Sequence, residues 1–346
     1  MRTISIMLAF NCPHPGGNST RFGTPMELSS AQFVGIGVFY FVLALLAITG
    51  NAVTIIAYLK DPFKQLRNSA SNLLITALAS VDLLNALLSL LPSSVFYILC
   101  AYHVNFRDFL AKTNPCMEVM KSTLELASLL LLVAMTTDRH RAVTAPLTYK
   151  YHVTITRMRR ALIVITCYSV VFGLAIAMTC HVTHYVIHGG HLVLSLVVLM
   201  VMNTRMVLAV RRSRSLVCSC AESNACRLAY QRERNITIAV CIILAVFLLT
   251  FFPAVLLSTV TVICTAVECS LNPSVFSVSM FISMTSYHTS SVTNPIVYSW
   301  RLEKYRHAFR YLLIKCACAR VDDMKNTDQA TASSLIRKST KTTTEV

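Results

Sequence analysis

Apolar residues in this chain come in long blocks separated by short basic or polar stretches, rather than in the short periods of soluble helices and strands. Blocks of about 20 or more mostly apolar residues, the length a helix needs to cross a bilayer, fall at roughly 33–59, 71–99, 117–137, 160–180, 182–210, 235–263 and 274–299. The pattern predicts seven membrane spans. It changes at Trp300 to Lys315, where Tyr305 and Phe309 stand among bases, as in an amphipathic helix lying on a membrane surface. Residues 321–346 are polar and rich in Ser and Thr and are expected to be disordered. The expected organisation is an outer tail (1–32), a bundle (33–299), an interfacial helix (300–318) and an inner tail (319–346). The fold class is an all-α membrane protein: a seven-transmembrane helix bundle with a cytoplasmic amphipathic eighth helix.

Composition agrees: 55% of residues are hydrophobic and 13% charged, with mean hydropathy +0.60. A soluble domain carries roughly 25% charged residues. Of the 31 Lys and Arg residues, 26 lie in 60–72, 139–160, 205–234 and 301–346. By the positive-inside bias these segments are cytoplasmic and the N-terminus is extracellular. The net charge of +16 is thus topological and implies no nucleic-acid partner. Ile4 to Phe10 is too short for a secretory signal, so the first span is expected to insert unaided. Asn18-Ser19-Thr20 is a glycosylation sequon on the outer side; Asn235-Ile236-Thr237 lies on the inner side and stays bare.

Asp138-Arg139-His140 sits where the apolar helix from Ser122 to Met135 meets a basic loop. An Asp-Arg pair is costly in hydrocarbon, so it belongs at the membrane-water boundary, where an acid holds or releases the Arg. Asp82 lies in the middle of span two, where insertion costs on the order of 2.5–3.5 kcal/mol unless it is paired or neutralised. Together with Pro146-Leu147, Gly50-Asn51, Leu78-Ala79-Ser80-Val81-Asp82 and Asn294-Pro295-Ile296-Val297-Tyr298, these residues resemble the ordered motifs of rhodopsin-like (class A) G-protein-coupled receptors. His140 replaces the family's Tyr. The resemblance covers about residues 33–318.

The resemblance implies a plasma-membrane receptor that passes binding of an extracellular ligand to a heterotrimeric G protein, with arrestin and a receptor kinase as further partners. It places Asn51, Ser128, Ser290, Ser291 and Asn294 around Asp82, as a sodium site or as hydrogen bonds tying helices to a neutral Asp. It gives Glu233 as a second acid for Arg139 in the resting state, and outward movement of span six as the activating step. Phe247, Phe251, Pro253 and Tyr298 are the residues expected to move; Pro253 is a hinge or a fixed kink. Phe251 replaces the family's toggle Trp. The missing Trp in span four, the missing Pro in span five and the very short loop at Thr179 to Thr183 resemble the melanocortin and related branch. In that branch the third outer loop is bridged, which implies a Cys264–Cys269 disulfide.

Span three carries Glu118, Lys121 and Glu125 at three- and four-residue spacing, one helical face turned toward the bundle interior. They line the expected ligand pocket with His188 and His288, unless Lys121 and Glu125 form an internal bridge. Lys121 stands where amine receptors keep an Asp, so a peptide or lipid-like ligand is favoured over a monoamine. His288 stands at the opsin Lys position, which argues against retinal. His181, His184, His188 and His191 share a face of span five, and more often such residues line a wet cavity than hold a metal. No metal beyond sodium, and no other cofactor, is expected. Cys316 and Cys318 follow the interfacial helix and suit palmitoylation or remain reduced thiols. Thr344 and Val346 match a PDZ-ligand pattern, or the hydroxyls serve as kinase sites. No nucleophile triad or metalloprotease motif speaks for an enzyme. The alternative, a transporter or channel, is disfavoured because no inverted repeat or broken helix pair is evident.

Overall fold

The structure, a computed structural model, describes residues 4–6, 26–102, 107–177, 181–217, 234–235, 237–246, 248–249, 252, 255–256, 259–260 and 273–315. These form α1 (Ser30–Lys60), α2 (Ala70–Asn85), α3 (Leu91–Ala101), α4 (Arg107–Thr144), α5 (Pro146–His152), α6 (Ile155–Ala177), α7 (His181–Val217), α8 (Thr237–Val246), α9 (Pro273–Arg301) and α10 (303–315). Two three-residue strands, Ile4–Ile6 and Met26–Leu28, pair antiparallel ahead of the bundle. Five stretches are long and apolar enough to cross a membrane: Ser30–Lys60, Ala70–Ala101, Val119–Ala142, Ile155–Ala175 and Gly189–Ala209. The sixth predicted span is only partly within the described residues. The seventh, α9, is about 43 Å long at 1.5 Å per residue but rich in Ser and Thr.

Local chemistry sets the helix ends. Ser29 and Gln32 close a reciprocal cap on α1: the Ser29 N–H donates to Gln32 Oε1 at 2.8 Å and the Gln32 N–H to Ser29 Oγ at 3.3 Å. The helix stops at Asp61, whose φ of 36° is left-handed, just before Pro62. Pro92 has no N–H for the Leu88 carbonyl, and the helix answers with one wide π-turn at Ala86–Leu90 between α2 and α3.

The most buried span is α4, with 61% of its apolar window inside the bundle against 11% for α6, and it contacts α2, α6 and α7. It forms the axis of the bundle. Gly173 on α6 faces Thr123 and the Val119 carbonyl so closely that no side chain fits between the two helices. Exposed Ile163, Val164, Val171 and Leu174 cover the outer face of α6, as suits a helix turned to lipid. Toward the end of the bundle where α10 packs, Leu74, Leu132, Leu199, Leu244, Tyr298 and Tyr305 join α2, α4, α7, α8, α9 and α10 in one apolar core.

Two boundaries differ from the sequence pattern. α4 continues to Thr144, so Asp138, Arg139 and His140 are helical and not at the start of a loop; packing of Met135 and Ala142 carries the helix past the polar triplet. Trp300 and Arg301 close α9, and α10 begins only after Leu302, whose buried side chain turns the chain onto the core.

Candidate functional site

Near the C-terminal end of α4, Asp138 and Arg139 are 4% and 2% exposed, so two charges lie inside protein and need partners. Arg139 Nε and Nη2 donate to Asp138 Oδ2 at 2.9 and 2.7 Å. Nη2 also donates to the Ser71 hydroxyl and, at 2.9 Å, to the Tyr149 hydroxyl. Ser71 in turn donates to Asp138 Oδ2 at 2.7 Å, and Tyr149 to Asp138 Oδ1 at 2.9 Å. The guanidinium also lies 5.9 Å from the centre of the Tyr149 ring. Burial pushes the Tyr149 hydroxyl up to about 12, with Arg139 opposing and Asp138 adding, so it remains protonated and able to donate.

This knot joins α2, α4 and α5. Ser71 and Tyr149 escaped the sequence reading because they lie 67 and 11 residues from Asp138, and no periodicity links them. A hydroxyl in the first turn of span two and a Tyr in the inner loop were the only available signals. His140 is half-buried beside the knot. Pro146 opens α5 with its ring at the first helical position, where a missing N–H costs nothing, and Leu147 follows it. Glu233, Phe247, Phe251 and Pro253 lie outside the described residues.

Midway through the bundle, Asp82 is 2% exposed and each of its oxygens accepts one hydrogen bond: Oδ1 from Ser291 Oγ and Oδ2 from Asn294 Nδ2, both at 2.8 Å. Pro295 follows Asn294, and lacking an N–H it leaves the Ser291 carbonyl without its helical partner. Asn51 on α1 supplies the missing donor, its Nδ2 lying 3.0 Å from that carbonyl and 2.9 Å from the Ala47 carbonyl. Gly50 allows the approach, since a Cβ there would stand 3.0 Å from Pro295 Cβ and Cγ. Asn51 Oδ1 is buried without a hydrogen bond among the described residues, and Ser128 and Ser290 are themselves buried. Carboxylate, amide and hydroxyl oxygens are the donor set of a small hard cation, so these residues fit one. Such an ion would be held by Asp82, Asn51 Oδ1 and the surrounding hydroxyls.

Toward the other end, α1 packs against α9. Glu125 and His288 are buried, and Lys121 is partly so. Tyr40 from α1 sets its ring edge-on to His288 at 6.1 Å and stacks on Phe281 at 5.9 Å. Tyr40 was missed because it lies in an unbroken apolar run of span one, where no polar neighbour marks it. The side chains of Glu118 and His188 lie outside the described residues. His191 Nδ1 lies 3.1 Å from the Ile187 carbonyl and its ring packs on Phe172, and among the described residues no group of three metal-ligating side chains occurs. Asn18, Cys264, Cys269, Cys316, Cys318, Thr344 and Val346 also lie outside the described residues.

Residues 50–298 match the family of 7 transmembrane receptors (rhodopsin family). The chain belongs to that family. It is therefore a multi-pass membrane receptor and not an enzyme. The relatives it matches include somatostatin receptor type 3 of Mus musculus and of Rattus norvegicus, each 30% identical over 105 residues, which is 30% of this chain. The match spans 24% of the length of these curated relatives.

Proposed function

We propose that this receptor carries an extracellular ligand signal to a heterotrimeric G protein, with Arg139 as the part released on activation. The buried knot of Asp138, Arg139, Ser71 and Tyr149 carries the reading. It holds the Arg where it cannot meet a partner, and opening it exposes a cation at the inner mouth of the bundle. Glu233 is proposed as a second restraint from span six, and Pro146 and Leu147 as part of the coupling surface. The orientation follows the basic loops: N-terminus outside, knot inside, in the plasma membrane. Arrestin and a receptor kinase are proposed to act on the same inner face.

The proposed ligand is a peptide or lipid-like molecule with an acidic group that engages Lys121, beside Glu125 and His288. The relatives matched over 105 residues are named as receptors for somatostatin, which supports a ligand of that kind. Asp82 with its ring of oxygens is proposed to take an allosteric sodium ion.

An agonist screen read by cAMP and calcium together tests the activity, and two variants test the switch. Arg139→Ala is expected to abolish coupling at normal surface expression. Glu233→Ala is expected to raise ligand-independent signalling about fivefold, the effect of a restraint worth about 1 kcal/mol. Intact coupling in the first and unchanged basal signalling in the second reject the assignment.

A further inference from the structure

The loop that follows α1 folds back against α10 and leaves a cleft of about 200 Å³ between them. At about 30 Å³ for each water, that is room for roughly seven waters, enough for a phosphate with part of a sugar or polyol. Pro62, Phe63 and Leu66 from the loop and Ala308 from α10 give it an apolar lining. α10 also contributes Lys304 and His307 to the lining. Among the described residues neither of these side chains makes a hydrogen bond or ion pair, and the adjacent Glu303 faces Arg306 at 3.9 Å instead.

Asp61 also borders the cleft, and its charge is spent within the loop. Oδ1 accepts from the Gln65 and Leu66 N–H groups at 2.8 and 3.0 Å, and Oδ2 from the Arg67 N–H at 3.0 Å. The unspent donors of the cleft are therefore cationic, with exposed Lys60 and Lys64 beside them. Exposed apolar side chains flank the same place: Leu59 on α1, Phe63 in the loop, and Tyr311, Leu313 and Ile314 on α10. Phe63 and Tyr311 meet edge to face at 5.8 Å. A cationic notch edged with apolar surface, at the level where α1 leaves the membrane, fits a ligand with an anionic head and acyl chains better than a free ion.

We infer that this cleft between residues 61–66 and α10 holds the phosphorylated headgroup of an anionic membrane lipid. Lys304 and His307 contact the phosphate, and Phe63 and Tyr311 lie along the acyl chains. Juxtamembrane cations attract such lipids, and a notch adds a fixed geometry that a smooth basic surface lacks. The site depends on the orientation proposed above only for which leaflet supplies the lipid.

The test uses the full chain in nanodiscs of phosphatidylcholine alone, with phosphatidylserine, or with a phosphatidylinositol bisphosphate, and measures retained lipid by native mass spectrometry. Phosphoinositide is expected to be retained preferentially, and the double variant Lys304→Gln with His307→Gln to weaken retention about tenfold at unchanged melting temperature. Arg310→Gln, on the exposed face of α10 outside the cleft, is expected to leave retention intact. Equal loss in Arg310→Gln, equal retention in the double variant, or displacement of the lipid by equimolar soluble inositol phosphate overturns the proposal. Nanodiscs expose both faces, so these results stand apart from orientation, which antibody access to a C-terminal epitope in intact cells reads separately.

Discussion

Asn51 donates its side-chain amide to the Ser291 carbonyl at 3.0 Å, across the interface between α1 and α9. That carbonyl is the one Pro295 cannot serve, so a motif in the first span completes the backbone of a motif in the seventh. Asn51→Ala removes the donor and leaves the carbonyl buried, at an expected cost of about 1–2 kcal/mol. Thermal unfolding in detergent should show a fall of about 2 °C per kcal/mol. An unchanged melting temperature would mean that the bond contributes nothing net.

Tyr149→Phe keeps the ring on Arg139 and deletes the hydroxyl that links it to Asp138. One such bond is worth about 1 kcal/mol, and basal signalling at matched expression should rise about fivefold. Ser71→Ala should act in the same direction. If both variants signal as wild type does, the knot is not a restraint on activation.

Asp82→Asn removes the carboxylate from the mid-membrane cluster while keeping a side chain able to pair with Ser291 and Asn294. Agonist affinity should lose its dependence on sodium when displacement is compared in sodium and in a bulky organic cation. A wild-type receptor indifferent to sodium would refute the ion site and favour a purely structural hydrogen-bond hub.

Asp61 offers a stability test outside the membrane. Burial raises its carboxyl, but hydrogen bonds from the Arg67, Leu66 and Gln65 N–H groups and the Arg67 charge outweigh it, holding the group below the usual range. A depressed carboxyl stabilises the fold above its unfolded value, about 3.9, and that contribution fades as pH falls through the folded value. Asp61→Asn should therefore cost about 1.5 kcal/mol at pH 7, with the gap to wild type closing below about pH 4. A gap of constant size across that range would show that charge is not what the loop uses.

The seven-span organisation and the polar residues within it were legible in the sequence, because hydrocarbon tolerates only long apolar helices and makes each buried Asp, Arg or Asn conspicuous. Gly50-Asn51, Asp82 and Asn294-Pro295 could be singled out one span at a time. Their interlocking could not, since the Asn51 to Ser291 bond joins residues 240 apart and depends on how closely Gly50 admits Pro295. The same holds for the switch region. Asp138-Arg139 stood out as a charged pair, whereas Ser71 and Tyr149, ordinary in sequence, became its partners only once α2 and α5 were packed against α4. Composition and period determine which segments enter the membrane, because that choice is made residue by residue against lipid. Which buried polar groups meet is decided by helix packing, because each hydrogen bond needs its two atoms within about 3 Å, and only the assembled bundle brings them there.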